Sequence, residues 1–280
     1  MNLGARSTVW AAALLACLAA QGARAGCSRP IEVPMAPLGP TIGFDGTRAS
    51  GAYPALLREV GGTSGCVFRI QRVPRARLQK MFESGKADLL LPASPSPSRD
   101  RDGEFIPLVL VRANLLTLAE RGSPVPRSLA ELLARPGYKL ALVRGFSFGP
   151  TYDRAIGTLR AQHRVIEETD PASVARALQQ GLAQATIMPA SIFFGTLAKD
   201  AQLAPLIKRT REEPLEELGW SESGVYLSRH ALTDADRRTL RTAFTQAARA
   251  GRMWQLSTDT HPPGSLNSSV RPLPPTQPAP

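Results

Sequence analysis

Ser94, Ser96, Ser98 and Arg99 stand close together in the segment Ser94-Pro95-Ser96-Pro97-Ser98-Arg99. A guanidinium is a planar fork of donors that matches a carboxylate, and serine hydroxyls can bond the remaining lone pairs. The segment follows the apolar run 87–92, which itself follows a helix signal ending at Gly85. It therefore falls at the mouth of an expected buried strand, where open α/β sheets hold small ligands. A solvated surface turn is the alternative for the same six residues. The second candidate is Gly145-Phe146-Ser147-Phe148-Gly149, between an expected strand and an expected helix. Backbone N–H groups at a helix start can cradle an anion. The string also spells the G-x-S-x-G elbow that exposes a nucleophilic serine, here Ser147. His230 or His261 could complete such a triad by chain order, but no His-Gly-Gly oxyanion segment precedes it.

These segments need a scaffold, and the chain alternates strand and helix signals. Residues 31–37, 67–73 and 87–92 read as strands. The helix 53–60 has Pro54 near its start and Gly61-Gly62 after its end. The helix 75–84 carries Leu78, Met81 and Phe82 at i, i+3 and i+4. The pattern repeats with helices at 129–134, 151–159 and 174–180 and strands at 139–143, 163–167 and 185–188. A strand at 224–228 and a long helix from Thr233 to Ala250 complete it. Such alternation predicts α/β architecture with helices on both faces of parallel-rich sheets. The apolar run 108–118 is long enough to carry the chain from one lobe to another. The proline-rich segment 261–280 has no periodicity and is expected to be disordered.

Residues 1–25 read as an export signal: Arg6 is basic, 9–20 is apolar, and Ala23-Arg24-Ala25 fits a small-x-small cleavage site. The apolar stretch is shorter than the roughly 20 residues a membrane-spanning helix needs. The mature protein is expected in the periplasm, with lipidation at Cys17 or Cys27 as the alternative. Cys17 leaves with the signal, so Cys27 and Cys66 remain to form a disulfide in an oxidising compartment. No CxxC pair or Cys/His cluster suggests a metal, and no cofactor is expected. The formal net charge is +11. That favours an anionic partner. Nucleic acid is not supported, because finger spacings and Gly-aromatic RNA signatures are absent. The basic run Arg69, Arg72, Arg75, Arg77 and Lys80 is expected on the solvent side of a strand and helix.

Several marks occur together in order. They are Gly51 to Leu57, the step Phe82-Glu83-Ser84-Gly85-Lys86-Ala87-Asp88, Ser94 to Arg99, Ser128 to Gly145, Ala175 to Ala185, and Gly251 to Leu256. With them the chain resembles the bacterial extracellular solute-binding proteins of family 3, which include polar amino-acid binders, over nearly all of 27–257. The resemblance implies a type II periplasmic-binding-protein-like fold, two α/β lobes joined by two crossover strands. Lobe 1 would be 27–112 plus 221–257 and lobe 2 would be 113–220, with the ligand in the cleft. It further implies a monomer with a small-molecule ligand and an inner-membrane ABC permease as partner. A sensory module without transport is the alternative role. By this resemblance Ser94 and Arg99 would hold the ligand carboxylate, with Ser96 beside them. Arg144, Gly145 and Ser147 would close from lobe 2. Phe44 and Tyr53, with Phe146 and Tyr152 opposite, would form apolar walls. Two departures bear on the ligand. The family often carries an aspartate for an α-ammonium after the later lobe-2 strand, but this chain reads Ile187-Met188-Pro189-Ala190-Ser191 there. The preceding step, Gly181-Leu182-Ala183-Gln184, also lacks its acid. With Arg99, Arg112 and Arg144 as candidates, a small polar or anionic ligand, amino-acid-like or carboxylate, is expected and no enzyme activity. A dehydratase-type reaction, which some relatives of this fold catalyse, would need a cleft carboxylate, for which Glu167, Glu168 and Asp170 are the candidates.

Overall fold

The computed structural model describes residues 26–118, 124–261 and 264–274. The proposed export signal lies outside them. Among the described residues no helix is long and apolar enough to cross a membrane.

The first lobe begins with β1 (Ile31–Met35), the hairpin β2 (Gly43–Asp45) and β3 (Arg48–Ser50), and α1 (Ala52–Ser64). It continues through β4 (Phe68–Arg72), α2 (Arg75–Glu83), β5 (Leu89–Ala93), α3 (Pro97–Asp102) and β6 (Gly103–Val111). β1 pairs with β4 in parallel. The chain then passes through Arg112-Ala113 into the second lobe. There β7 (Asn114–Thr117), α4 (Leu129–Ala134), β8 (Leu140–Val143), α5 (Pro150–Ala161), β9 (Val165–Glu168) and α6 (Pro171–Gln179) follow in turn. β10 (Ala185–Met188), α7 (Ala190–Leu197) and β11 (Arg211–Pro214) complete that lobe. Its five strands run β11-β7-β10-β8-β9 across the sheet. The chain returns by β12 (Ser221–Ser228), α8 (Asp234–Arg249) and α9 (Arg252–Thr260). β12 lies between β5 and β6, antiparallel to both. The two lobes thus share two crossovers, 112–113 and 215–220, and the Arg112–Glu216 ion pair at 2.6 Å ties one to the other.

Local chemistry fixes these elements. Ser128, Asp170 and Thr233 each accept a backbone N–H at a helix start. β5, β8 and β10 are apolar because both sheet faces are covered. Asp88, 1% exposed, precedes β5. Its carboxylate accepts from both Arg29 nitrogens at 2.6 and 2.7 Å and from the Glu32 backbone at 2.7 Å, locking β1 to β5. The step ending at Asp88 is therefore a structural clamp.

The expectation of disorder over 261–280 needs correction for 264–274, while 262–263 and 275–280 lie outside the described residues. Residues 264–274 are placed, and β13 (Val270–Arg271) adds to the β6 edge, giving the order β13-β6-β12-β5. Prolines supply no donors but are tolerated beside an edge strand, and this segment needs few backbone bonds. It is anchored at both lobes. The Arg112 N–H donates to the Ser269 carbonyl at 3.0 Å, and the Ser191 N–H of α7 donates to Ser269 Oγ at 3.1 Å. The Arg271 guanidinium lies 4.2 Å from the centroid of Trp220 in the second crossover.

Cys27 and Cys66 form a disulfide with Cα atoms 4.8 Å apart, as expected. Closing that loop contributes about 4 kcal/mol in the chain-entropy model. The Cys27→Ser/Cys66→Ser double variant should lose about that much in denaturant unfolding, and an unchanged midpoint would contradict it. The lobes also touch where the loop before β2 meets α7. A Cβ on Gly195 would lie 2.2 Å from Pro40 Cδ. Gly195→Val should therefore push the lobes apart and raise the radius of gyration in solution scattering.

Candidate functional site

Between the lobes lies a cavity with about 690 Å³ of space free of atoms, part of it open to solvent. The end of β5 delivers Pro92, Ala93 and Ser94 to it. Lobe 1 also supplies Leu38, Thr41, Tyr53, Arg75, Val109 and Val111. Lobe 2 supplies Phe146, Ser147 and Phe148 from the β8–α5 loop, and Pro189, Ser191 and Ile192 from the start of α7. Ser223, Met253, Ser257, His261 and Val270 close the hinge side. The last two belong to the segment expected to be disordered.

The cationic side chain in this lining is Arg75, the first residue of α2. Pro74 ends β4's exit and starts the helix in extended geometry, which turns Arg75 toward the cleft. One guanidinium nitrogen donates to the Pro92 carbonyl at 3.0 Å. The guanidinium carbon sits 5.7 Å from the Phe146 centroid, so a lobe-1 cation meets a lobe-2 ring. Among the described residues no carboxylate pairs with it. Burial pushes its pKa down to about 9, and nearby Arg99 pushes the same way. It stays protonated at neutral pH. This placement corrects the expectation that the whole basic run faces solvent. Arg69 does so, paired with Glu32. Arg72 stacks over Phe44 in a separate, wider groove at the cleft mouth, which Arg75 also lines.

The remaining expected site residues divide. Ser94 and Ser147 line the cavity, as do Tyr53 and Phe146. Tyr53 is 2% exposed, and burial raises its pKa to about 12. Its hydroxyl lies close to Ser223 without a hydrogen bond of normal geometry. Arg99 does not line the cavity. It is buried within lobe 1, donating to the Ser94 carbonyl at 2.8 Å and to Gln79 Oε1 at 2.9 Å. Burial lowers its pKa, opposed by Tyr226 and by Asp153 across the cleft. The reason is the short helix α3: Ser96 caps it, accepting from the Arg99 N–H at 3.4 Å, and this turns Arg99 back toward its own strand end. Ser96 is thus a cap rather than a cavity residue. Arg144 is exposed and paired with Glu167 at 3.0 Å, one residue past buried Val143, on the opposite face of the strand end. Gly145 packs against the start of α2, its Cβ position 3.7 Å from Ala76 Cα. Phe44 belongs to the outer groove, and Tyr152 to the lobe-2 core. Arg112 serves the hinge.

The enzyme alternatives find little geometry. Ser147 Oγ donates to Asp153 Oδ2 at 2.8 Å. His261 Nδ1 donates to the Ser257 carbonyl at 2.9 Å, leaving Nε2 toward Thr41 at 3.5 Å. Among the described residues no histidine bonds Ser147. Glu167 is taken up by Arg144 and Arg160, and Asp170 caps α6. None of Glu167, Glu168 and Asp170 lines the cavity. Nor is there a cluster of histidine, cysteine and acidic residues able to hold a metal among the described residues. The residues missed from the sequence, Arg75, Ser191, Ser223 and His261, come from four separate elements. Only Arg75 carried a local signal, as a cation after Pro74 at a strand-to-helix step.

No protein-family profile and no curated protein matches the chain in sequence. Solved structures match in fold over most of their length. An amino-acid ABC transporter substrate-binding protein, AbpA, from Streptococcus pneumoniae bound to L-arginine aligns with TM-score 0.66 and 14% identity, covering 82% of this chain and 94% of that one. The GluR0 ligand-binding core with L-glutamate gives 0.65 and 15%, covering 83% and 98%. A histidine kinase sensor domain with similarity to periplasmic binding proteins gives 0.64 and 18%, covering 83% and 96%. The chain therefore has the two-lobed periplasmic-binding-protein-like fold.

His261 offers a pH test. Burial holds its pKa below the ordinary value, the Ser257 carbonyl opposes this, and Lys199 adds to it. The folded protein thus binds fewer protons than the unfolded chain around pH 6. Stability should be full above about pH 6.5 and fall as the pH drops below it. In His261→Gln that part of the slope should vanish in pH-dependent unfolding.

Proposed function

We propose that the protein is an exported solute-binding protein of the family 3 type, acting as a monomer in the periplasm. It captures a small polar or anionic solute in the cavity between its lobes. The single observation that carries this reading is that both lobes line one cavity while, among the described residues, two crossovers join them. In such a fold, hinge closure expels water and strengthens each polar contact to the solute. The fold neighbours bound to L-arginine and L-glutamate support a small-molecule ligand, and those that serve ABC transporters support delivery to an inner-membrane permease. A sensory role is the second reading, favoured by the histidine kinase sensor domain of the same fold.

The test is native mass spectrometry of protein released from the periplasm, joined to solution scattering before and after unfolding and refolding to strip bound solute. A stoichiometric small molecule and a larger radius of gyration once it is gone are expected. No bound solute, together with a radius indifferent to added solutes, would contradict the proposal.

A further inference from the structure

The solute's chemical class can be argued from what the cavity offers to charge. We propose that Arg75 is the anion anchor, and that the solute is a monocarboxylate with a compact apolar body and no ammonium group. This rests on the interlobe cavity being the solute site.

The guanidinium of Arg75 has one bond to the Pro92 carbonyl and no carboxylate partner among the described residues. A cation enclosed without its counter-charge is costly, and a carboxylate fits its free donors as a two-pronged pair. The other nearby guanidinium, Arg99, is committed to Ser94 and Gln79. One available cation suits one carboxylate; a second anionic group on the solute would stay unpaired. No aspartate or glutamate lines the cavity. Asp153, the acid that a lining side chain touches, is exposed and already accepts the Ser147 hydroxyl. Among the lining side chains of the described residues an α-ammonium would meet hydroxyls and the His261 ring but no carboxylate. The walls are hydrocarbon: Leu38, Val109, Val111, Ile192 and Met253, with Phe148 from lobe 2. Such walls reward an aliphatic or aromatic body. Phe146 lies over the guanidinium from the opposite lobe, so closure lowers the local dielectric where the ion pair forms. Arg75 also borders the outer groove, where Arg72 and Lys199 stand beside Asp45 and Asp170 and where Arg176 is paired with Asp200 at 3.2 Å.

The experiment is calorimetric titration of the stripped full-length mature protein with matched pairs. These are 4-methylpentanoate against L-leucine, 3-phenylpropanoate against L-phenylalanine, and 4-methylpentanamide as the uncharged control. At least one carboxylate should bind about 10-fold or more tightly than its amino-acid counterpart, and the amide should not bind. Arg75→Ala should weaken that carboxylate by about 30-fold or more, Arg75→Lys should recover part of it, and Arg144→Ala should leave it unchanged. Equal or tighter binding of the amino acids, retention of affinity in Arg75→Ala, or silence from both carboxylates would overturn the proposal. Should Arg75→Ala not fold, the wild-type pairs decide alone. Native mass spectrometry separates the two levels. An amino acid or a cation found in the cleft would leave solute capture standing and remove this inference, whereas an empty protein indifferent to every solute would remove both.

Discussion

A guanidinium set between two lobes, with no carboxylate partner among the described residues, is the constraint around which this structure is arranged. The carbonyls at and just past the end of β5 hold this guanidinium and a second one inside lobe 1: Pro92 accepts from Arg75 and Ser94 accepts from Arg99. Both cations are depressed in pKa chiefly by burial. Their mutual repulsion is tolerated because each has a carbonyl dipole to donate to and because Arg99 also reaches Gln79. The division of labour follows from direction. Arg99 fastens the start of the 94–99 turn from within lobe 1, and Arg75 fastens the end of β5 at Pro92 from the cavity side.

The hinge is built on the same economy of contacts. Two crossovers join the lobes, and Arg112–Glu216 links them. The C-terminal segment adds a third connection: Ser269 meets Arg112 on one side and Ser191 at the start of α7 on the other, while Arg271 lies on Trp220. His261 and Val270 of the same segment wall the cavity. The segment that closes the back of the cleft therefore also contacts both lobes. At the mouth, Lys199 Nζ donates to the Gly39 carbonyl at 3.1 Å and Pro40 packs on Gly195, so the front is held by contacts that a hinge motion breaks.

Much of the fold was legible in the chain because it rests on local rules. Alternating apolar strands and capped helices gave the α/β architecture, and cysteine parity gave the Cys27–Cys66 bond. The site was less legible, because it depends on which way a side chain leaves an element end. Arg144 follows the buried Val143 and is exposed to solvent, paired with Glu167. Arg99 has the residue type and spacing that carried the resemblance, yet the cap at Ser96 winds it into α3 and away from the cavity. Arg75 looked like one more charge in a basic run; its direction is set by how β4 pairs with β1 and how α2 packs through Leu78 and Phe82, which are long-range facts. The C-terminal segment misled for a compositional reason. Proline richness signals disorder when nothing accepts the chain, but here the β6 edge does.

These features converge on one claim, that the negative charge of a guest is met by Arg75 between the lobes. The most direct measurement is a crystal structure of the protein with its co-purified solute. The account predicts a carboxylate within hydrogen-bond distance of the Arg75 guanidinium, with Phe146 closed over it and no protein acid facing the guest. A solute seated on Arg99, on Arg144 or outside the interlobe cavity would contradict it.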